Sequence, residues 1–266
     1  MSLLSVENLS VSIHGTEILR DVSLSVEAGQ IVGVIGESGS GKSMTALAVM
    51  QLLPDGAVAT GRVALGGHEM LTLEEGALCG LRGNEVGMVF QEPMTALNPI
   101  QTIGAQVAET VLIHENVSRG EAMERAREAL RRCELPEERF PLSRYPHELS
   151  GGQRQRVVIA MAIALQPKLL IADEPTTALD VTTQAEVLRL LKRLAREDGM
   201  GLLLITHDLA VVADMADEIV IMRKGEVVES GASPAIFETM SHPYSLALLE
   251  ASDHRPARSE HVLEAP

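Results

Sequence analysis

The sequence predicts an α/β fold: a parallel sheet, an N-terminal antiparallel β-layer and a helical subdomain inserted into the core. Three observations carry this. A glycine-rich loop, GESGSGKS (Gly36–Ser43), stands between the β-branched apolar run QIVGVIG and the helix-like run SMTALAVMQLL. Strand-like and helix-like runs alternate after Ser150, as they do when parallel strands are joined by crossover helices. Between them, Pro93, Asn98 and Pro99 break the chain and helical patterns follow.

In chain order, Leu3 to Val26 alternate loosely and read as antiparallel strands with a turn near His14-Gly15. GRVALGG (Gly61–Gly67) reads as a further strand of that layer, and EVGMVF (Glu85–Phe90) as a core strand ending at Gln91. Residues 92–149 read as the insertion. It holds helices over Ile103–Ile113 and Arg119–Glu134, the second opened by a Ser118/Glu121 capping box and stopped before Pro136. The core resumes with the strand in KLLIADEP. A helix follows that Thr183-x-x-Glu186 is expected to cap and Asp198-Gly199 to end. GLLLITHD and DEIVIM read as strands, and a hairpin turn at Lys224-Gly225 leads into EVVESG. Residues 1–250 form one domain on this reading, and 251–266 a polar, proline-containing tail without fixed structure.

Composition narrows the classes. Against 22 Lys plus Arg stand 37 Asp plus Glu, a net charge of −15, which argues against a nucleic-acid surface or charge-driven binding to anionic lipid. Aromatics are scarce, so the core is aliphatic. Two cysteines, Cys79 and Cys133, make no disulfide framework and suit a reducing compartment. The apolar run Val157–Leu165 is too short to span a bilayer, and no signal peptide opens the chain.

The loop carries the chemistry. Bound phosphate needs several N–H donors at short range, and Gly36, Gly39 and Gly41 let the backbone approach and form an anion nest. Glu37, Ser38, Ser40 and Met44 complete the segment. Lys42 is placed to reach the β- and γ-phosphates, Ser43 to ligate Mg²⁺, and the following helix aims its N-terminal dipole at the anion. A chance glycine-rich turn would lack the flanking strand and helix. In LLIADE, Asp173 can hold Mg²⁺ through its water shell and Glu174 can polarise an attacking water. Taken alone, the same pair could be solvated strand-end carboxylates.

LSGGQ (Leu149–Gln153), with the loop, LLIADEP and ITHD, resembles the nucleotide-binding domains of ABC-type ATPases across the chain to about residue 250. The resemblance implies a P-loop core that hydrolyses ATP with Mg²⁺. It implies head-to-tail dimers with a second ABC ATPase subunit, identical or homologous, whose nucleotide meets Ser150, Gly151, Gly152 and Gln153. Ser150 can also cap a helix with Gln153, and the two glycines are expected to expose its first N–H groups. By the same resemblance, Gln91 touches Mg²⁺ or the water, Asp180 in TTALD senses the opposite site, and His207 contacts the γ-phosphate. The metal set is then Ser43, Gln91 and Asp173, and the catalytic set Glu174, His207 and Gln91.

QEPMTALNP (Gln91–Pro99), DEPTTALDVTTQAE and SHPYSLALLE (Ser241–Glu250) look like the ATP-binding subunits of dipeptide, oligopeptide and nickel importers. That implies a peripheral subunit on the cytoplasmic face of the inner membrane, under two transmembrane permease subunits and served by an extracytoplasmic substrate-binding protein, with no nucleic-acid partner. Three departures stand out. Ile13, with His14 beside it, occupies the position where the family stacks an aromatic on adenine. Met44 follows Ser43 where many relatives have threonine. No cysteine follows Cys133, so the iron–sulfur tail of some peptide-importer subunits is not expected. A soluble ABC ATPase of DNA repair or translation would carry two motors or a long coiled coil. A non-catalytic regulatory subunit would have lost Glu174, His207 or LSGGQ. An exporter motor is opposed by the importer-like stretches alone.

Overall fold

The computed structural model describes residues 2–91 and 96–252, so part of QEPMTALNP and the expected tail from residue 253 lie outside the described residues. Two sheets organise the chain. The N-terminal layer has strand order β2-β1-β4-β5, with β1 Leu4–Ile13, β2 Thr16–Val26, β4 Ala57–Leu65 and β5 His68–Glu69, all antiparallel. The larger sheet runs β10-β9-β3-β8-β7-β6: β3 Ile31–Ile35, β6 Val86–Val89, β7 Leu169–Asp173, β8 Gly201–Thr206, β9 Glu218–Arg223 and β10 Glu226–Ala232. Its pairings are parallel except β9–β10, so the expected parallel sheet gains one antiparallel edge strand. The tight turn at Lys224-Gly225, with φ +49° and +83°, is what reverses the chain there.

Period-two alternation divides the core. On β3, Val32 and Val34 face the antiparallel layer, while Ile31 and Ile35 face the helices. Helix α1 (Lys42–Met50) lies between the two sheets through Ala46, Ala48 and Val49. The opposite face is covered by α5 (Gly151–Ile163), α6 (Val181–Asp198) and α7 (Leu209–Met215). Gly33 lets α7 sit close: a Cβ there would lie 2.5 Å from Val212 Cγ1. The short helix α2 (Glu75–Leu81), and α8 (Ile236–Thr239) and α9 (Pro243–Ala251) near the C-terminus, carry no strong periodic signal. Helix α9 runs one residue past the expected domain end.

The insertion holds α3 (Ile103–His114) and α4 (Arg119–Arg132), the latter opened by the expected Ser118/Glu121 box. On α4, Ala122, Ala126 and Ala129 face inward at helical spacing, and small side chains allow close packing. Arg156 of α5, 14% exposed, fastens this region to the core by pairing with Glu134 at 2.8 Å and Glu186 at 2.8 Å. One capping expectation fails. Asp180, not Thr183, is the N-cap of α6, and Thr183 is the third helical residue, whose N–H Asp180 accepts at 3.1 Å. An ionised carboxylate is the better match for the positive helix end. The C-terminus is as expected, with Gly199 at φ +63°.

Candidate functional site

The glycine loop joins β3 to α1 and has the backbone that an anion nest requires. Gly39 and Gly41 have φ of +78° and +104°, which L side chains rarely adopt. At Gly41 space is short as well: a Cβ would lie 2.5 Å from Leu19 Cδ2 and 3.4 Å from the Gly225 Cα. Lys42, 5% exposed, donates from Nζ to the carbonyls of Gly36 at 2.7 Å and Glu37 at 2.9 Å. Burial pushes its pKa down, and the charges of Glu174 and Asp173 oppose that. The turn between β9 and β10 braces the loop from behind. The Gly225 N–H donates to the Ser40 carbonyl at 2.9 Å, and its carbonyl accepts from the Arg20 N–H at 2.8 Å.

β7 delivers the acidic pair. Asp173 is 6% exposed, and its Oδ1 is buried without a hydrogen-bond partner. Burial pushes its pKa up; a hydrogen bond from the Ser43 hydroxyl opposes this, and Glu174 raises it further. An unpaired buried carboxylate oxygen is costly, and a divalent cation beside the Ser43 hydroxyl would satisfy it. Among the described residues no three His, Cys, Asp or Glu side chains gather as a metal site.

Glu174 follows at φ +46°, a conformation uncommon outside glycine and one that concentrates at functional sites. Its N–H donates to the Ile205 carbonyl at 2.9 Å, which ties it to β8. Its Oε2 accepts from Gln91 Nε2 at 3.0 Å and from Thr177 Oγ1 at 2.9 Å, and Oε1 lies 3.4 Å from His207 Nδ1. Gln91, Glu174 and His207, at the ends of three strands, are thus brought together. An open cavity lined by Ile18, residues 38–44, Gln91 and Glu174 joins them to the loop.

Ser150 is the N-cap of α5: its hydroxyl accepts from the Gln153 N–H at 3.3 Å, and Gln153 Oε1 accepts from the Ser150 N–H at 2.9 Å. The two glycines sit in different surroundings. Gly151 is exposed, whereas Gly152 is buried and faces α6; a Cβ there would lie 2.2 Å from Thr183 Cγ2. Asp180 also accepts from the Thr183 hydroxyl at 2.6 Å, so the LSGGQ and TTALD segments meet through Thr183.

Ile13 is half-buried at the end of β1, opposite Thr16 and Ala57, and does not line the loop cavity. The His14 ring lies against Gly56, where a Cβ would touch it at 2.3 Å. Ile18 does line the cavity, and sequence reasoning missed it because alternation in β2 shows which residues share a face but not what lies over that face.

The ABC transporter family pattern matches residues 19–177. The chain is 47% identical over 261 residues to the glutathione import ATP-binding protein GsiA of Escherichia coli K12, across 94% of this chain and 42% of that protein. It is 49% identical over 255 residues to the peptidoglycan transport ATP-binding protein YejF of Agrobacterium fabrum, across 94% of this chain and 47% of that one. The chain therefore spans less than half the length of these curated relatives. Among solved structures it resembles the ATP-binding cassette MJ0796 in a dimeric post-hydrolysis state with ADP and Pi, at TM-score 0.73 and 31% identity over 86% of this chain and 98% of that one. It also resembles cbiO1 of Clostridium perfringens, part of the transporter complex cbiONQ, at TM-score 0.77 and 25% identity over 94% of this chain and 95% of that one.

Proposed function

The chain belongs to the ABC transporter family, and from that premise we propose that it is the ATP-hydrolysing motor subunit of a binding-protein-dependent importer. Its cargo is a peptide or a related small solute, with nickel or a metal chelate the further class. The observation that carries the activity is Glu174 facing the loop cavity with Gln91 and His207 against its carboxylate.

The nest of residues 36–43 binds the phosphate chain, and Lys42 turns from its own loop carbonyls to the terminal phosphates. Ser43, Asp173 and Gln91 would hold Mg²⁺, which supplies charge neutralisation on the phosphate oxygens. Glu174 accepts a hydrogen bond from the attacking water and orients it in line. His207, just past the end of β8 and beside Glu174, is placed to contact the terminal phosphate. Ser150, Gly151, Gly152 and Gln153 form the helix-terminus anion site for the nucleotide of a second motor subunit.

Among the described residues no helix is long and apolar enough to cross a membrane. We assign membrane attachment to two permease subunits, which place the chain on the cytoplasmic face, with the substrate-binding protein acting through them. The names of GsiA and YejF, both import or transport ATP-binding proteins, support the peptide-type cargo. The test is isolation of the complex from native membranes, with mass spectrometry of the bound chains and assay of ATP hydrolysis stimulated by candidate peptides. Isolation with soluble partners only would overturn the importer assignment.

A further inference from the structure

SHPYSLALLE has no role in the chemistry above, yet it touches the phosphate loop. Tyr244, on the first turn of α9, is 6% exposed, and its hydroxyl oxygen accepts the Glu37 N–H at 2.8 Å. Glu37 is the second residue of the loop, and its carbonyl receives the Lys42 ammonium at 2.9 Å and the Ser40 N–H at 3.1 Å. One residue of the loop is therefore held at both its N–H and its carbonyl, by Tyr244 on its outer side and by Lys42 and Ser40 within.

The tyrosine is itself held. The Arg223 guanidinium lies over its ring at 4.9 Å from the centroid. The segment before it is anchored on β10: Glu229 Oε1 accepts from the Ser241 N–H at 2.7 Å and the His242 N–H at 3.3 Å. His242 then caps the helix, its Nδ1 accepting the Tyr244 N–H at 3.2 Å. A ring buried for packing alone would serve as well without its hydroxyl. The 2.8 Å bond from a loop N–H to that buried hydroxyl is what packing does not account for.

We propose that Tyr244 is a positioning residue for nucleotide binding, and that segment 241–251 braces the phosphate loop through it. The brace fixes the Glu37 peptide so that its N–H points away from the nest and its carbonyl toward Lys42. Without it, the loop samples other orientations and binds phosphate less often. The proposal rests on the ATPase assignment above.

Tyr244→Phe removes the hydroxyl and keeps the ring. In the full-length chain it should raise the Kd for ATP, and the KM for hydrolysis, by about three- to tenfold, the worth of a lost hydrogen bond. The kcat should stay within about twofold, because the group acts before the chemical step. Unchanged Kd and KM would overturn the proposal, whatever happens to Tm, since that result leaves Tyr244 a packing residue. Glu229→Ala, which frees the segment from β10, should raise Kd in the same direction and add nothing in the Tyr244→Phe background. Additive effects would overturn the route through Tyr244. A wild-type chain that binds no ATP would overturn the ATPase assignment itself, a result distinct from a wild type that binds and a Tyr244→Phe variant that binds equally.

Discussion

Gln91 and Glu174, 83 residues apart in sequence, share a hydrogen bond of 3.0 Å. Gln91 leaves β6 and Glu174 leaves β7, neighbouring parallel strands whose ends point the same way. Because Gln91 also begins the insertion, the Glu174 carboxylate is bonded to the segment that leads into the helices.

Glu174→Gln keeps the shape and removes the charge. Turnover should fall by at least ~10²-fold, while ATP still binds through the loop and Asp173. Single-turnover hydrolysis alongside equilibrium binding separates the two effects. Turnover near wild type would remove Glu174 from the mechanism.

Asp173→Asn should stabilise the nucleotide-free chain while abolishing Mg²⁺-dependent turnover. The folded chain holds the Asp173 proton more tightly than the unfolded chain does, chiefly through burial. Ionisation therefore disfavours the fold, and that penalty sets in as pH rises through the carboxylate range. At neutral pH the substitution should raise Tm, and the gain should shrink as pH is lowered through that range. A Tm that falls at neutral pH would mean that the carboxylate is satisfied in solution.

Gly152→Ala should destabilise the junction of α5 and α6 by about 1–3 kcal/mol, because its methyl meets Thr183 Cγ2. Thr183→Ser removes that methyl and keeps the hydroxyl bond to Asp180. The double variant should therefore recover most of the lost stability in urea titrations. No recovery would show that Gly152 is needed for its backbone and not for space.

The loop cavity stops short of Ile13, so the residue matters only where the base extends beyond the phosphates to the end of β1; in that arrangement Ile13→Tyr should tighten ATP by about fivefold, the ~1 kcal/mol by which a stacked ring exceeds an aliphatic contact. His14→Ala should leave ATP affinity unchanged, since its ring is already placed against Gly56. If His14→Ala weakens ATP roughly tenfold and Ile13→Tyr gains nothing, the base stacks on His14.

Much of this site could be read from residues because its demands are local. Backbone donors crowded around phosphate require glycine at Gly39 and Gly41, and a cation-binding carboxylate at a strand end requires an apolar run before Asp173. What could not be read depends on neighbours distant in sequence. Asp180 and Thr183 are both capping residue types, three apart, and only the helix start decides between them. The close approach of Thr183 that makes Gly152 necessary comes from a different helix. Tyr244 reads as an ordinary helix residue until the loop 207 residues earlier is found against its hydroxyl. The antiparallel direction of the edge strand β10, by contrast, is legible, because Lys224-Gly225 reads as a hairpin turn.

The hairpin turn at Lys224-Gly225 sets a dimension. One face of Gly225 is bonded to the phosphate loop at Ser40 and the other to β2 at Arg20, and a Cβ on it would lie 2.2 Å from the Ile18 carbonyl. A single residue is therefore the spacer between the glycine loop and the strand that presents Ile18 to the same groove. One residue added there would spread both walls at once. At Gly15, where a Cβ would meet nothing within 4 Å, the β1–β2 tip has room to lengthen. Tolerance to insertion in this layer should thus be steeply uneven, open at its far hairpin and closed at the turn that gauges the groove.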